Sequence, residues 1–155
     1  MADAGAGARW LDSEEQEAWR AFLRAAARVD ESLDRQLQRE AGMPHAYYQV
    51  LAMLSEAPQR TLRMSELAGL TTSSASRLSH AVARLEEKGW VRRDKHPTDR
   101  RGALAVLTDA GWDALVAAAP GHVAAVRAAV FDRLDPEQVS ELRAISEQIA
   151  GTGDA

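Results

Sequence analysis

The sequence of 155 residues predicts a mainly α-helical fold with a small β-wing, on three observations. Apolar residues recur at helical spacing through most of the chain. Two helical segments separated by a short turn occupy residues 64–88, and two short strand-like segments joined by a charged loop follow them directly. A helix-turn-helix followed at once by a charged hairpin is a winged helix-turn-helix, so we expect this lobe between terminal helices.

Composition limits the function classes. With 46% hydrophobic and 27% charged residues, the chain is globular, and its lack of cysteine excludes a disulfide scaffold, a thiolate zinc finger and a thiol-based oxidation sensor. Its longest apolar run, residues 114–120, is far shorter than the roughly 20 residues of a membrane span. Residues 1–9 are small and polar and show no signal peptide. We therefore expect a soluble cytoplasmic protein with no membrane partner.

The N-terminal elements follow from capping and periodicity. Residues 1–9 are predicted to be a disordered tail, and a helix begins near Ser13, where Ser13 and Gln16 have the capping-box spacing. Its apolar positions recur on one face and run from Trp19 to Leu37 before Gly42 and Pro44 end it. A second helix is predicted from His45 to Glu56.

The central lobe contains the most specific pattern. We predict a short helix over 64–70, a turn over 71–73 and a helix over 74–88 that Gly89 closes. The strands are predicted at 90–94 and 103–107. The apolar residues expected to pack between the two helices are Leu67, Ala68, Leu78, Val82 and Leu85.

The C-terminal region contains two more amphipathic helices. Thr108 is expected to cap a long one, and Asp135 to Gln138 supply a capping box and a first-turn proline for the last. The predicted organisation is a tail (1–9), an N-terminal dimerisation helix (10–44), the DNA-binding lobe (45–107), C-terminal dimerisation helices (108–150) and a tail (151–155). The terminal helices would leave apolar stripes exposed in a monomer, which favours a homodimer; the alternative is that they pack on one another within one chain.

Charge distribution matters more than net charge. The total is −4, but residues 60–101 contain ten basic and five acidic residues and so carry +5, whereas the remainder carries −9. A basic centre between acidic flanks can bind a polyanion through one face. An ordinary solvated charge cluster is the alternative.

The predicted recognition helix has short polar residues at its start. Residues in the first two turns of a helix in the major groove reach base edges, and short hydroxyls let the helix sit deep. A serine-rich stretch is also a common way to start any helix. The residues placed there are Ser73, Ser74, Ser76, Arg77 and His80.

The predicted wing is rich in arginine. Its tip, with Asp99, Arg100, Arg101 and Gly102, suits the narrow, electronegative minor groove, where Asp99 can pre-orient an arginine. An exposed ion pair within a hairpin is the alternative for Asp99. The residues interpreted as phosphate contacts are Lys88, Arg92, Arg93 and Lys95.

No motif predicts an enzyme. The chain has no phosphate-binding glycine loop, no nucleophile elbow and no His-Glu-x-x-His motif, so we expect no catalytic residue and no cofactor. The four histidines are too scattered to predict a metal site, although His45 and His122 could meet in the fold.

The sequence resembles the MarR family of winged-helix transcription regulators. The matching motifs are Ser65-Glu-Leu-Ala68, Ser76-Arg-Leu78, Arg84-Leu-Glu86, Gly89-Trp-Val91, Arg93, Pro97, Asp99-Arg-Arg101 and Leu107-Thr-x-x-Gly111. The resemblance implies a dimer that binds a pseudo-palindromic operator on double-stranded DNA. It also implies that Arg101 enters the minor groove with support from Asp99.

The same resemblance implies a repressor that a small aromatic or anionic ligand releases from DNA. The residues that would form the ligand pocket are Trp10, Trp19, His45, Tyr47 and Tyr48. Aromatic side chains at these positions also fit a dimer core, which is the competing interpretation. The alternative function is a winged-helix module for protein–protein interaction that does not bind specific DNA.

Overall fold

The computed structural model describes residues 9–71, 73–99 and 102–151, in which the chain forms six α-helices and three β-strands. The helices are α1 (Ser13–Ala41), α2 (His45–Glu56), α3 (Met64–Leu70), α4 (Ala75–Glu87), α5 (Asp109–Ala129) and α6 (Pro136–Ala150). The strands are β1 (Thr61–Arg63), β2 (Val91–Lys95) and β3 (Ala103–Leu107). The predicted mainly α-helical fold with a small β-wing is confirmed. Most of the two predicted tails lies outside the described residues.

The cap of α1 lies one residue before the predicted one. Asp12, not Ser13, is the N-cap: its Oδ1 accepts from the Glu15 amide at 2.8 Å, and Glu15 Oε2 accepts from the Asp12 amide at 2.9 Å. Both pairs have capping-box spacing, but here two carboxylates complement the positive end of the helix dipole. At the other end Gly42 has φ 62°, a left-handed cap that favours glycine.

The wing sheet has one more strand than predicted. β2 and β3 pair antiparallel from Val91 opposite Leu107 to Lys95 opposite Ala103, which gives the expected hairpin. In addition, β1 pairs with β3 on its other edge, so the strand order is β1-β3-β2. Three residues are too few to show the alternation that identifies a strand in a sequence. β1 attaches the wing to the segment that leads into α3.

The core joins the central lobe to the terminal helices. Four of the five residues predicted to pack between α3 and α4 are buried, and Ala68 packs against them while half-buried. Leu37 of α1, Leu51 of α2 and Leu115 of α5 belong to the same cluster. The C-terminal half of α1 and the N-terminal half of α5 therefore share one core with the winged helix.

α5 starts directly at the wing. The Thr108 hydroxyl caps it by accepting from the Gly111 amide at 3.1 Å, and it also donates to the Gly89 carbonyl at 2.7 Å. The helix then continues through Pro120 to Ala129. The end of the wing hairpin and the start of the long helix are thus fixed to each other.

Large apolar side chains are exposed on the terminal helices. Trp19 and Phe22 of α1 are each 51% exposed, and no residue of α6 is buried. Ile145 and Ile149 of α6 are 55% and 66% exposed. α1 and α5 do pack on one another within the chain, as the single-chain alternative expects, but α6 does not hide its apolar stripe against the rest of the described chain.

α5 and the turn after it, Asp109–Arg133, are long and apolar enough to cross a membrane by length and composition, with a mean hydropathy of 1.6. The expectation from the sequence counted only uninterrupted apolar residues and so missed this stretch. One such helix is weak evidence for a membrane span, and here Leu115 and Ala118 pack in the core shared with α1 and α2.

Candidate nucleic-acid interface

The turn between α3 and α4 is closed by short hydrogen bonds. The Thr71 hydroxyl donates to the Leu67 carbonyl at 2.8 Å, and the Ser73 amide donates to the Ala68 carbonyl at 3.1 Å. Ser74 is the N-cap of α4 and accepts from the Arg77 amide at 3.3 Å. These bonds fix the angle at which α4 leaves the turn.

One face of α4 is exposed and takes no part in the core. Ser74, Ser76, Arg77 and His80 are exposed, whereas the opposite face, which includes Leu78, is buried. Ser73 is half-buried, and its hydroxyl donates to the Thr71 carbonyl at 3.3 Å. Among the described residues, Arg77 and His80 make no ion pair. The predicted recognition residues therefore lie together at the start of one helix, with Ser73 facing partly inward.

Arg93 connects the wing to α4. Its Nη2 donates to the Ser79 carbonyl at 2.6 Å, its Nε lies 3.2 Å from Glu86 Oε2, and its own amide donates to Glu86 Oε1 at 3.1 Å. This guanidinium is thus already engaged on both sides. The structure gives Arg93 a role in orienting β2 against α4 that the sequence did not indicate.

The other predicted phosphate contacts lie at the end of α4 and on β2. Arg92 donates two parallel hydrogen bonds of 2.8 Å to Asp94. That hydrogen bond raises the pKa of Arg92 and lowers the pKa of Asp94. Lys88 Nζ lies 4.7 Å from the centre of the Trp90 ring, and Lys95 is exposed.

The wing loop is built around His96 and Asp99. His96 Nδ1 lies 3.1 Å from the Asp99 amide, and Arg63 reaches both residues, at 3.3 Å from Asp99 Oδ2 and 2.8 Å from His96 Nε2. Arg63 and His96 were not among the predicted site residues. Arg100 and Arg101, the predicted tip, lie outside the described residues.

The predicted ligand-pocket residues divide into separate places within one chain. Tyr48 and His45 meet at His122, whose ring centre lies 4.1 Å and 5.5 Å from theirs. His45 Nδ1 also lies 3.0 Å from Asp30 Oδ1. Burial, and then the nearby charge of His45, lowers the pKa of His122, and burial raises the pKa of Tyr48.

The remaining pocket candidates are elsewhere. Trp10 is 80% exposed, Trp19 stacks on Phe22 with ring centres 6.1 Å apart, and Tyr47 packs half-buried against the core. The described part of the chain brings no group of three or more potential metal ligands together. His45 and His122 do meet, as the sequence allowed.

Two cavities flank these clusters. One of about 500 Å³ lies between α1 and α5, and its lining includes four alanines together with Arg35, Arg39, Glu40 and Arg133. Another of about 350 Å³ lies under the wing and includes Arg63, Leu78 and Asp99 in its wall. None of the five predicted pocket residues lines either cavity in the ranges that the structure describes.

Comparison with known proteins identifies the family. A MarR family model matches residues 41–102. The solved structure of Sco3205, a MarR family transcriptional regulator from Streptomyces coelicolor in complex with DNA, is 54% identical, covers 97% of this chain and 94% of that one, and gives a TM-score of 0.89. The chain belongs to the MarR family.

Two further relatives are less similar to this chain. AbsC, a MarR family transcriptional regulator from Streptomyces coelicolor, is 41% identical over 92% of this chain and 96% of that one, with a TM-score of 0.84. The uncharacterized HTH-type transcriptional regulator YdcH of Bacillus subtilis (strain 168) is 35% identical over 60 residues, 39% of this chain. That alignment spans only 41% of the length of YdcH.

The exposed start of α4 and the wing lie side by side, as expected for a winged helix-turn-helix. Sequence reasoning missed Arg63 because it precedes the helix-turn-helix motif and looked like one more solvated cation. It missed His96 because a lone histidine before a proline in a polar loop carries no signal of its own. Only the third strand, which places Arg63 beside the loop, reveals both.

Proposed function

We propose that the protein is a homodimeric, sequence-specific DNA-binding transcription regulator that acts in the cytoplasm. One observation carries the proposal: an exposed polar helix start beside a basic wing, in a chain 54% identical over nearly its whole length to a regulator solved with DNA. Its partner is a pseudo-palindromic operator on double-stranded DNA. MarR proteins are transcription regulators, and no catalytic role is proposed.

In the proposed complex the start of α4 enters the major groove. Ser74 and Ser76 are small enough for close approach, and Arg77 can donate two hydrogen bonds to a guanine. His80 lies one turn further along the exposed face. Ser73, with its hydroxyl already bonded, contributes mainly by shaping the turn.

The basic residues divide into contact and support. Lys88, Arg92 and Lys95 are proposed to contact phosphates, which position a protein without reading sequence. Asp99, Arg100 and Arg101 are proposed as the minor-groove wing. Arg93 is proposed to hold β2 against α4 through its bonds to Ser79 and Glu86.

The dimer is proposed to form from residues 10–44 and 108–150, around the lobe of residues 45–107. Exposed tryptophan, phenylalanine and isoleucine side chains on α1 and α6 supply an apolar surface of the kind that subunit interfaces bury. Two-fold symmetry would place the two α4 helices about one helical turn of DNA apart.

Release by a small aromatic or anionic ligand is proposed as the control, with repression as the default state. Two solved structures of the same fold support a ligand response: CouR from Rhodococcus jostii, 22% identical, bound to p-coumaroyl-CoA, and Bordetella bronchiseptica BpsR, 17% identical, regulated by 6-hydroxynicotinic acid. In a dimer, Trp10 and Trp19 of a second copy could complete a site with His45, Tyr47 and Tyr48. A ligand acts by binding one conformation better than the other.

The test is a fluorescence-anisotropy titration with duplexes selected by the protein from a random-sequence library. A regulator should prefer the selected duplex over scrambled DNA by about 10³-fold or more, lose affinity as salt increases, and bind as two protomers. Equal, weak binding to both duplexes would refute the proposal and favour the protein-interaction module.

A further inference from the structure

An arginine outside the wing holds the wing loop at its base. Arg63 ends β1 and directly precedes α3, so its backbone belongs to the helix-turn-helix. Its side chain crosses to the loop, where Nη1 donates to Asp99 Oδ2 at 3.3 Å and Nη2 lies 2.8 Å from His96 Nε2. One guanidinium therefore joins two points of the loop to the start of α3.

Arg63 is itself fixed from the other side. Its amide donates to Glu66 Oε2 at 3.1 Å, and in the sheet it pairs opposite Leu104 of β3. A guanidinium is planar and presents its five donors at fixed angles, so its bond to Asp99 and its contact with His96 occur together only in one arrangement. The side chain therefore sets both the distance and the orientation of the loop.

The loop is compact around His96. The His96 amide donates to the Gly102 carbonyl at 3.1 Å, and the Gly102 amide donates to the Asp99 carbonyl at 3.0 Å. A Cβ added at Gly102 would lie 3.1 Å from Asp99 Oδ2 and 3.2 Å from the His96 Cβ. Movement of His96 or Asp99 thus moves the base of the whole loop.

We propose that Arg63 is a wing-positioning residue for DNA binding, because its ion pair with Asp99 fixes the base of the wing loop to the start of α3. This inference rests on the proposed DNA-binding function. Arg100 and Arg101 follow Asp99 directly in the sequence, so the place where Asp99 is held limits where those two arginines can reach.

His96 is held by the backbone of its own loop. The Thr98 amide donates to His96 Nδ1 at 3.3 Å, and the Asp99 amide donates to the same nitrogen at 3.1 Å. A neutral imidazole that accepts at Nδ1 carries its proton on Nε2, so the hydrogen bond by which Arg63 holds the loop is the one to Asp99.

The other charged groups near this ion pair are Glu66 and Lys95. Glu66 accepts from the Arg63 amide, and Lys95 precedes His96 in β2 and adds positive charge. Loss of the Arg63 side chain would therefore remove the ion pair to Asp99 while the pairing of β1 with β3 remains.

The first experiment uses the full chain without DNA. Hydrogen–deuterium exchange at pH 7.5 is followed in peptides that cover residues 96–102, for the wild type, Arg63→Ala, Arg63→Lys and Arg60→Ala. Arg60 is a matched control because it pairs with Asp109 and stacks on Trp112, away from the loop. Arg63→Ala should speed exchange in the loop about tenfold, Arg63→Lys less, and Arg60→Ala not at all. Unchanged exchange in Arg63→Ala would overturn the proposal, since a mere phosphate contact would leave the free protein unaltered.

The second experiment measures binding to a duplex selected by the wild type from a random library, at pH 7.5. Arg63→Ala should bind about tenfold more weakly than the wild type, with Arg63→Lys between the two.

The outcomes also separate this inference from the proposed function. If the wild type selects no duplex, sequence-specific DNA binding fails and the role of Arg63 in it fails too, while the exchange data still report whether Arg63 anchors the loop. If a duplex is selected and Arg63→Ala binds it like the wild type, the positioning role alone is wrong. Thermal unfolding of each variant confirms that the comparison is between folded proteins.

Discussion

The ring of His122 lies against the ring of Tyr48, with centres 4.1 Å apart and planes inclined by 40°. These residues belong to α5 and α2, so the contact joins the long helix to the winged-helix lobe. His122 is only 9% exposed, and its Nδ1 has no hydrogen-bond partner among the described residues. A buried imidazole without a partner at one nitrogen is a place where folding depends on pH.

We predict that stability falls below neutral pH in part through His122. Burial, and then the charge of His45, lowers the pKa of His122, so between its folded pKa and the ordinary histidine value of about 6.5 the unfolded chain binds a proton that the folded chain does not. This contribution destabilises the fold as pH decreases from 7.5 to 5.5. His122→Phe keeps an aromatic ring but cannot titrate, so its loss of stability over that range should be smaller. Denaturant unfolding at both pH values tests this, and an equal loss in both proteins would contradict it.

Gly111 is predicted to be the most sensitive glycine in α5. A Cβ there would collide with the Trp90 carbonyl, which is backbone and cannot move without displacing the wing, and would lie 2.7 Å from Leu107 Cδ1. Gly111→Ala should therefore cost about 3 kcal/mol or more of unfolding free energy. Gly69→Ala is the matched control: it lies in α3 with nothing within 4 Å, so it should be neutral or stabilise by about 0.5–1 kcal/mol. A small cost at Gly111 would mean that α5 can withdraw from the wing.

Ile145→Asp is predicted to break the proposed homodimer. Ile145 is exposed in the single chain and lies on the apolar face of α6 with Leu142 and Ile149, where a carboxylate would be buried by a second subunit. Sedimentation should show a species near 16.8 kDa in place of twice that mass. Ser140→Asp adds the same charge on the opposite side of α6 and should leave the dimer intact. A dimer that survives Ile145→Asp would exclude this face of α6 from the interface.

Arg77→Ala is predicted to relax base preference. Arg77 is exposed in the first turn of α4 and makes no ion pair within the described residues, so its guanidinium is available for a base edge. Loss of one bidentate contact should cost about 1–3 kcal/mol against the selected duplex and reduce discrimination at one base pair. Competition with single-base variants of that duplex measures this. Discrimination equal to that of the wild type would refute base reading by Arg77.

Arg101→Ala is predicted, from the wing motif of the sequence, to weaken binding to the selected duplex while the protein remains dimeric. An arginine in a narrow minor groove stabilises the complex through its electronegative potential, which alanine cannot do. Anisotropy and sedimentation of the same preparation separate the two effects. A monomeric Arg101→Ala protein would show that the residue acts in assembly instead.

Local signals were sufficient for most of the elements. Helical periodicity and the glycine at position 89 placed α3 and α4 within one residue of their observed ends, and the hairpin register follows from two apolar strands around a polar loop. The N-cap of α1 was predicted one residue too late, because Asp12 and Ser13 each have capping-box spacing, and only the observed hydrogen bonds select Asp12.

Interactions between distant segments explain what the sequence did not reveal. β1 exists because β3 offers it a free edge, and Arg63 reaches His96 because that pairing brings residues 33 apart in sequence together. Arg93 looked like a phosphate contact because its bonds to Ser79 and Glu86 depend on how β2 packs on α4. The aromatic residues of the predicted pocket could not be grouped by spacing alone, because Trp10 precedes α1 and Trp19 lies in its N-terminal half, whereas His45 and Tyr48 lie in α2.

The unbroken path of α5 from Thr108 to Ala129 makes it a lever. Twenty-one residues at 1.5 Å each span about 31 Å. A rotation of α5 by about 10° about its C-terminal end, near Ala129, would therefore displace its N-terminal end at the wing by about 5 Å. The major groove is only about 12 Å wide, so such a displacement is enough to move α4 out of register with the bases. Because Thr108 bonds to Gly89 at the wing, the helix has little slack with which to absorb that rotation. A small change in the packing of the apolar side chains at the C-terminal end of α5 would therefore shift the DNA-binding elements by several ångströms.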